Sequence, residues 1–172
     1  VQTPESLSAL VVFAQFQDEG AGATAPSWAG DLFDVDLSGS FAHFYREMSG
    51  GRMVVEGQAL PRRYRSLEGA DAYRAETPGT LGGFGRFNRE ILAQADADAD
   101  FGRFDNDGLD GVPNSGDDDG YVDIVFINLQ TVPNGFFIST ATGIASLGLD
   151  ADFISDDPAV GGGFVGVRSR FT

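Results

Sequence analysis

Residues 104–123, FDNDGLDGVPNSGDDDGYVD, form an acidic stretch that leads directly into the apolar segment IVFINL at 124–129. The stretch holds seven Asp and four Gly, a composition that disfavours helix and strand, whereas the segment after it is typical of a strand. Ten of the 26 acidic residues lie between positions 96 and 123, where Arg103 is the one basic residue. Because these like charges repel each other, a bound cation would favour folding of the connection.

The residue types of the acidic stretch predict calcium as that cation. Oxygen ligands without nearby His or Cys favour calcium over zinc or copper, and the chain has no Cys and one His. The spacing around Gly120 matches positions 3, 5, 7 and 9 of a calcium loop, but Ser115 and Phe126 stand where an EF-hand has acids. We therefore predict a calcium loop over 105–123 that is not an EF-hand. Its expected ligands are Asp105, Asp107, Asp110, Asp117, Asp119, the Tyr121 carbonyl and Asp123.

A solvated acidic loop closed by Asx turns is the alternative interpretation of the same residues. A loop of that kind would need no ion. Both interpretations stay open at the level of sequence.

The segments around the acidic stretch predict an α/β (α+β) fold, with a mixed β-sheet flanked by helices. Residues 7–16, 52–60 and 121–129 read as strands, 61–83 as a loop, and 135–140 and 162–171 as weaker strands. LSGSFAHFYREMSGG (37–51) predicts a helix that is capped by Ser38 and ends at Gly50 and Gly51. A second helix begins at Phe84. The expected apolar stripes are Phe41, Phe44, Tyr45 and Met48 in the first helix, and Phe84, Phe87, Ile91, Leu92 and Ala95 in the second.

The overall composition indicates one folded domain and excludes some partners. With 172 residues, 42% apolar content and 15 Phe, the chain can bury a core. The net charge of −15, with all 11 basic residues being Arg, argues against a nucleic-acid partner and against an anionic membrane surface. The apolar run ALVVFA at 9–14 is too short to span a bilayer, so we expect no membrane insertion.

Two further features of the sequence are candidates for catalytic sites. LFDVDLSGS (32–40) is similar to the nucleophile motif of haloacid dehalogenase-like phosphatases, but PSWAGD precedes it instead of a buried strand, and the chain has no Lys. Asp34 and Asp36 are more simply acids near a helix N-terminus. His43 is the single His, so a His-based zinc site cannot be completed within this chain. We expect His43 to have a packing or hydrogen-bonding role.

Several stretches together resemble the immune inhibitor A-like secreted metallopeptidases. LVVFAQFQD resembles the opening strand of that family, GSFAHFYREMSGGRMVVEG its helix and next strand, and DFGRFDNDGLDGVPNSGDDDGYVDIVFI its acidic loop and following strand. The resemblance covers about residues 8–129. Residues 105–108 and 119–123 match the two halves of the family's compact acidic loop, and 109–118 resemble an insertion.

The resemblance implies that residues 1–172 are a single, incomplete domain, the N-terminal part of a zincin-like peptidase domain. The family's chemistry resides in an H-E-x-x-H helix, which this sequence lacks. Zinc is therefore expected only downstream, and the segment by itself should be inactive. Protein or peptide substrates and an extracellular or cell-surface location are implied in the same way. The alternative is a non-enzymatic calcium-binding module of an extracellular or surface protein.

Overall fold

The computed structural model describes residues 5–20, 22–138 and 140–169, and in these ranges the chain forms five strands and two α-helices. In chain order they are β1 (Glu5–Gln15), α1 (Phe41–Ser49), β2 (Met53–Arg65), α2 (Phe84–Asp96), β3 (Ile124–Leu129), β4 (Phe153–Pro158) and β5 (Phe164–Val167). Short 3-10 helices at Ser27–Asp31, Ala70–Tyr73 and Phe101–Phe104 lie between them. The expectation of a mixed α/β fold is confirmed.

The main sheet has three strands in the order β2-β1-β3, and both pairings are parallel. β1 is central, with Ala9 facing Gly57 of β2 on one side and Ile124 of β3 on the other. Within this sheet, α1 lies in the connection from β1 to β2, and α2 lies in the connection from β2 to β3. Parallel strands need such long crossover connections. The expected single mixed sheet is thus a wholly parallel sheet, and the antiparallel pair β4-β5 forms a second, separate sheet.

The continuous apolar run of β1 places a core on both faces of the main sheet. Leu10 and Val12 belong to the larger buried cluster, together with the α2 residues Phe87 and Ile91. Phe13 belongs to a smaller cluster on the opposite face. Because β1 is covered on both sides, its residues from Ala9 to Ala14 are at most 3% exposed, as expected of a strand in a parallel sheet.

The two helices match their predicted patterns to different degrees. All five residues of the predicted α2 stripe are buried. In α1 the stripe prediction is half right. Phe41 and Tyr45 are half-buried, and the Phe41 ring packs on Phe126 of β3 at a centroid distance of 5.2 Å. Phe44 and Met48 are exposed, and Ala42 is the fully buried residue of the helix. The cap is also Ser40 and not Ser38: the Ser40 Oγ accepts a hydrogen bond of 3.0 Å from the His43 N–H. Gly50, at φ 63°, ends α1 as predicted.

β2 continues beyond the predicted boundary at residue 60 to Arg65. The sequence predicts a loop from residue 61 because 61–83 carry Arg, Gly and Pro without a clear period. Pro61 itself cannot donate a backbone hydrogen bond to a neighbouring strand. β2 lies at the edge of the sheet, where Pro is tolerated. The Pro61 carbonyl accepts instead from the Ala25 N–H at 2.9 Å.

The C-terminal part of the described chain differs most from the prediction. Residues 135–138 form turns and bends instead of a strand, and residue 139 lies outside the described ranges. The buried Phe136 packs its ring against Phe16 and Phe87 at centroid distances of 5.3 Å each. The expected strand over 162–171 is present as β5, with 170–172 outside the described residues. The sequence does not indicate β4, because its segment FISDDP contains two Asp and a Pro, residues that are uncommon in strands.

No helix among the described residues is long and apolar enough to cross a membrane.

Candidate metal centre

The acidic loop, residues 105–123, connects the 3-10 helix Phe101–Phe104 to β3, and backbone hydrogen bonds bring its ends together. The Asp123 N–H donates to the Phe104 carbonyl at 2.8 Å, and the Asn114 N–H donates to the Asp105 carbonyl at 2.7 Å. Gly120 has φ 81°, a conformation that glycine adopts without steric cost. The turn at Gly120 directs the second half of the loop back toward Asp105.

Three of the predicted ligands converge in this loop. Asp105, Asp107 and Asp119 each offer a carboxylate oxygen, and these oxygens lie within 4.8 Å of one another. Asp105 is at the end of the 3-10 helix and is 1% exposed, whereas Asp107 and Asp119 are at the surface. The donors are all hard oxygens, the ligand type that calcium prefers.

Asp105 carries the most informative atom of this group. Its Oδ2 accepts from the Gly120 N–H at 3.1 Å. Its Oδ1 is shielded from solvent and has no hydrogen-bond partner among the described residues. An unpaired buried carboxylate oxygen is costly, so Asp105 Oδ1 is positioned for a partner from outside the chain, such as a cation.

Burial and repulsion between carboxylates together set the electrostatics of the loop. Burial, followed by the charges of Asp118, Asp119 and Asp123, raises the pKa of Asp105 to about 7. The pKa of Asp107 is also raised, first by burial and then by Asp119 and Asp118. A divalent cation beside these oxygens would reverse the effect and favour the charged carboxylates.

Asp123 ties the loop to the sheet. Its Oδ2 accepts from the Ser8 N–H of β1 at 2.6 Å, and its Oδ1 accepts from the Asn106 N–H at 3.1 Å. Burial raises the pKa of Asp123 to about 6, although these two hydrogen bonds lower it. Both oxygens therefore already accept backbone hydrogen bonds, and Asp123 lies outside the group of three.

Asp110 and Asp117 lie on the exposed side of the loop and close its own turns. Asp117 Oδ2 accepts from the Leu109 N–H at 2.7 Å and the Asp110 N–H at 3.2 Å. Asp110 Oδ1 accepts from the Val112 N–H at 2.8 Å. The alternative of a solvated loop with Asx turns therefore describes this half of the loop, 109–117, and the convergent carboxylates belong to the other half.

Tyr121 links the loop to the second sheet. It forms an isolated bridge with Gly166 of β5, and the Val122 N–H donates to the Gly166 carbonyl at 2.9 Å. The Arg168 guanidinium lies 4.2 Å from the centre of the Tyr121 ring and forms an ion pair with Asp119. The sequence could not indicate that β5 would lie beside this loop.

Two residues outside the predicted ligand set also shape the centre. Asp118 accepts from the Gly108 N–H at 2.7 Å and the Ser115 N–H at 2.6 Å. Asn106 is 3% exposed, and its Oδ1 has no hydrogen-bond partner among the described residues. Spacing alone does not reveal which of three consecutive Asp residues points inward.

Two concave regions adjoin the three carboxylates. A cavity of about 200 Å³ is lined by Asp105, Asp118 and Asp119, together with Ala159 to Gly162. A larger groove, of about 740 Å³, runs along β3 and is lined at one end by Asp107 and Asp119. Asp119 therefore borders both regions, and solvent and ions can approach the centre.

A second acidic group lies at the end of α2. Asp96, Asp156 and Asp157 bring carboxylate oxygens within 4.8 Å of one another. The Asp156 N–H donates to Asp96 Oδ2 at 3.2 Å, and the Phe101 N–H donates to Asp157 Oδ2 at 2.6 Å. Asp156 and Asp157 lie in β4. Because the sequence does not indicate β4, it could not predict this group either.

The motifs weighed as catalytic sites have structural roles. Asp34 Oδ1 accepts from the Asp36 N–H at 3.0 Å, and Asp36 pairs with Arg46 of α1 at 3.5 Å. His43 lies in the first turn of α1 and is half-buried.

No protein-family description matches this chain, and no curated protein is significantly similar to it in sequence.

Proposed function

We propose that this chain is a calcium-stabilised scaffold within a secreted zinc metalloendopeptidase. The observation that supports the calcium part is the buried Asp105 Oδ1, which lacks a hydrogen-bond partner among the described residues, next to the carboxylates of Asp107 and Asp119. Asp105, Asp107 and Asp119 would hold the ion. Calcium at this position would neutralise a cluster whose charges otherwise repel each other.

The scaffold role follows from what the loop connects. Asp105 continues the 3-10 helix that follows α2, Asp123 precedes β3 and binds β1, and Tyr121 bridges to β5. An ion held by Asp105, Asp107 and Asp119 would therefore fix both sheets relative to each other. Because the unfolded chain cannot assemble the same ligands, binding would raise the stability of the fold.

The peptidase part of the proposal rests on the resemblance of residues 8–129 to the immune inhibitor A-like family. The mixed α/β fold, with a parallel three-strand sheet and two helices, is compatible with a zincin-like subdomain. The chain has one His and no Cys, so its residues do not provide a catalytic zinc site, and we assign zinc and catalysis to other parts of the parent protein. An extracellular location and peptide substrates belong to the same proposal.

Thermal unfolding with calcium, magnesium or a chelator tests the calcium site. At a calcium concentration of about 100 times the Kd, the ion adds about 2.7 kcal/mol, which raises the midpoint by about 5–10 °C for a chain of this size. Magnesium should have a smaller effect because it needs a stricter geometry. Asp107→Asn should reduce the calcium shift, whereas Asp36→Asn, which lies outside both acidic groups and is 89% exposed, should leave it unchanged. Equal midpoints with calcium and chelator would refute the site.

A peptidase assay of the parent protein separates the two candidate functions. If the parent protein is a peptidase, it should hydrolyse casein and lose this activity with a zinc chelator. Residues 1–172 alone should not hydrolyse casein. The calcium loop supports a non-enzymatic extracellular module equally well. If the parent protein binds calcium and leaves casein intact under all conditions, the module is the correct assignment.

A further inference from the structure

Asp119 contacts a cation that the chain itself supplies. Arg168 Nη2 pairs with Asp119 Oδ2, and the two side chains are 37% and 40% exposed. Asp119 Oδ1 accepts from the Tyr121 N–H at 3.0 Å. The same carboxylate belongs to the group of three formed with Asp105 and Asp107. A guanidinium and the proposed metal ion therefore share one ligand.

The fold delivers Arg168 to this position. Arg168 directly follows β5, and β5 is joined to the acidic loop by the hydrogen bond from the Gly166 N–H to the Gly120 carbonyl, at 2.9 Å. The guanidinium stacks on the Tyr121 ring at 4.2 Å. On the other side of the loop, Asn114 Nδ2 donates to the Pro158 carbonyl at 2.9 Å. These contacts hold the β4-β5 pair against the loop, so the ion pair is built into the tertiary structure.

We infer that Arg168 competes with the divalent cation for Asp119 and thereby sets the calcium concentration at which the acidic loop is filled. This inference rests on the proposed calcium site. The guanidinium repels a divalent ion bound to the neighbouring oxygens, and it pairs with a carboxylate that the ion would coordinate. Capture of the ion requires Asp119 to share or release this contact, which couples occupancy of the loop to the position of Arg168 beside β5.

The test is calcium titration calorimetry on the wild-type chain and on Arg168→Gln at low ionic strength. Removal of the competing charge should tighten calcium binding by about three- to tenfold for a pair this exposed. Because screening weakens charge interactions, the ratio of the two Kd values should fall toward one in about 1 M salt. Arg168→Met, which keeps an aliphatic side chain over Tyr121, should give the same tightening.

Arg89→Gln is the matched control. Arg89 pairs with Asp150 at 2.9 Å, outside the acidic loop, and its side chain is 39% exposed. The substitution removes the same charge and a similar ion pair. We expect its calcium Kd to stay within about twofold of the wild-type value, since Arg89 pairs with Asp150 and with none of the proposed calcium ligands.

The outcomes separate this inference from the calcium site itself. The competition between Arg168 and calcium is supported if Arg168→Gln and Arg168→Met bind calcium more tightly than the wild type and Arg89→Gln does not. It is also supported if only the two Arg168 variants bind calcium measurably. If the wild type binds calcium and the Arg168 variants bind with equal or lower affinity, the inference fails and the site stands. If none of the four proteins binds calcium, both fail.

Discussion

Asp105→Asn should stabilise the chain in the absence of calcium and remove most of the stabilisation that calcium gives to the wild type. In the folded protein, burial and neighbouring charges raise the pKa of Asp105 from 3.8 to about 7. Asp105 is 1% exposed, so solvent screens these effects little. A folded-state pKa above the unfolded value means that stability is greatest at low pH and falls as the pH rises from about 4 through about 7.

The size of the effect follows from the pKa difference. Each pKa unit corresponds to about 1.4 kcal/mol, so ionisation of Asp105 lowers the free energy of unfolding by about 4 kcal/mol at pH 8 in a chelator. Asn has nearly the same shape, and its amide oxygen can keep the 3.1 Å hydrogen bond from the Gly120 N–H. The variant should therefore be more stable than the wild type by up to about 4 kcal/mol at pH 8, and by about 1 kcal/mol at pH 4.5.

Urea unfolding at the two pH values, with chelator and with millimolar calcium, measures this prediction. Calcium should stabilise the wild type and have little effect on Asp105→Asn, because the variant lacks the buried anionic ligand. Asp36→Asn removes an equivalent charge from a side chain that is 89% exposed, and it should change stability by less than about 0.5 kcal/mol. A variant that is less stable than the wild type in chelator at pH 8 would refute the reasoning about Asp105.

Two further substitutions test the supports of the centre. Gly120→Ala places a side chain at φ 81°, so it should lower the free energy of unfolding in urea by about 1 kcal/mol. It should also weaken calcium binding, since the Gly120 N–H donates to Asp105; unchanged values in both assays would contradict this role. Phe87→Ala removes a fully buried ring whose centroid lies 4.9 Å from that of Phe16, and it should lower the free energy of unfolding by about 3–5 kcal/mol. Phe87→Leu leaves a smaller cavity and should lower it by less than about 1.5 kcal/mol.

Some elements were predictable because the relevant pattern lies within one segment. The α2 stripe from Phe84 to Ala95 has helical spacing and is buried throughout, and the apolar run Ala9 to Ala14 forms the buried centre of β1. In each case the side chains that make the core are close in sequence. Hydrophobic periodicity therefore contained most of the information needed.

Other elements depended on neighbours that are distant in sequence. The extension of β2 through Pro61 requires an edge position and a partner at Ala25. β4 forms because β5 pairs with it and because Asp157 caps the Phe101 N–H, although its own sequence is acidic. Half of the stripe predicted for α1 failed because the helix packs through Phe41 and Ala42, which leaves Phe44 and Met48 exposed.

The acidic loop shows the same division within the candidate site. Composition by itself determined that carboxylates crowd between α2 and β3, and that an oxygen-seeking cation is the chemistry they suit, because residue type dictates charge and ligand preference. Only the tertiary structure decided that Asp105, Asp107 and Asp119 converge, and that Arg168 faces Asp119. The direction of each side chain depends on the turn at Gly120 and on a β-strand pair far along the chain, and neither is a property of the local sequence.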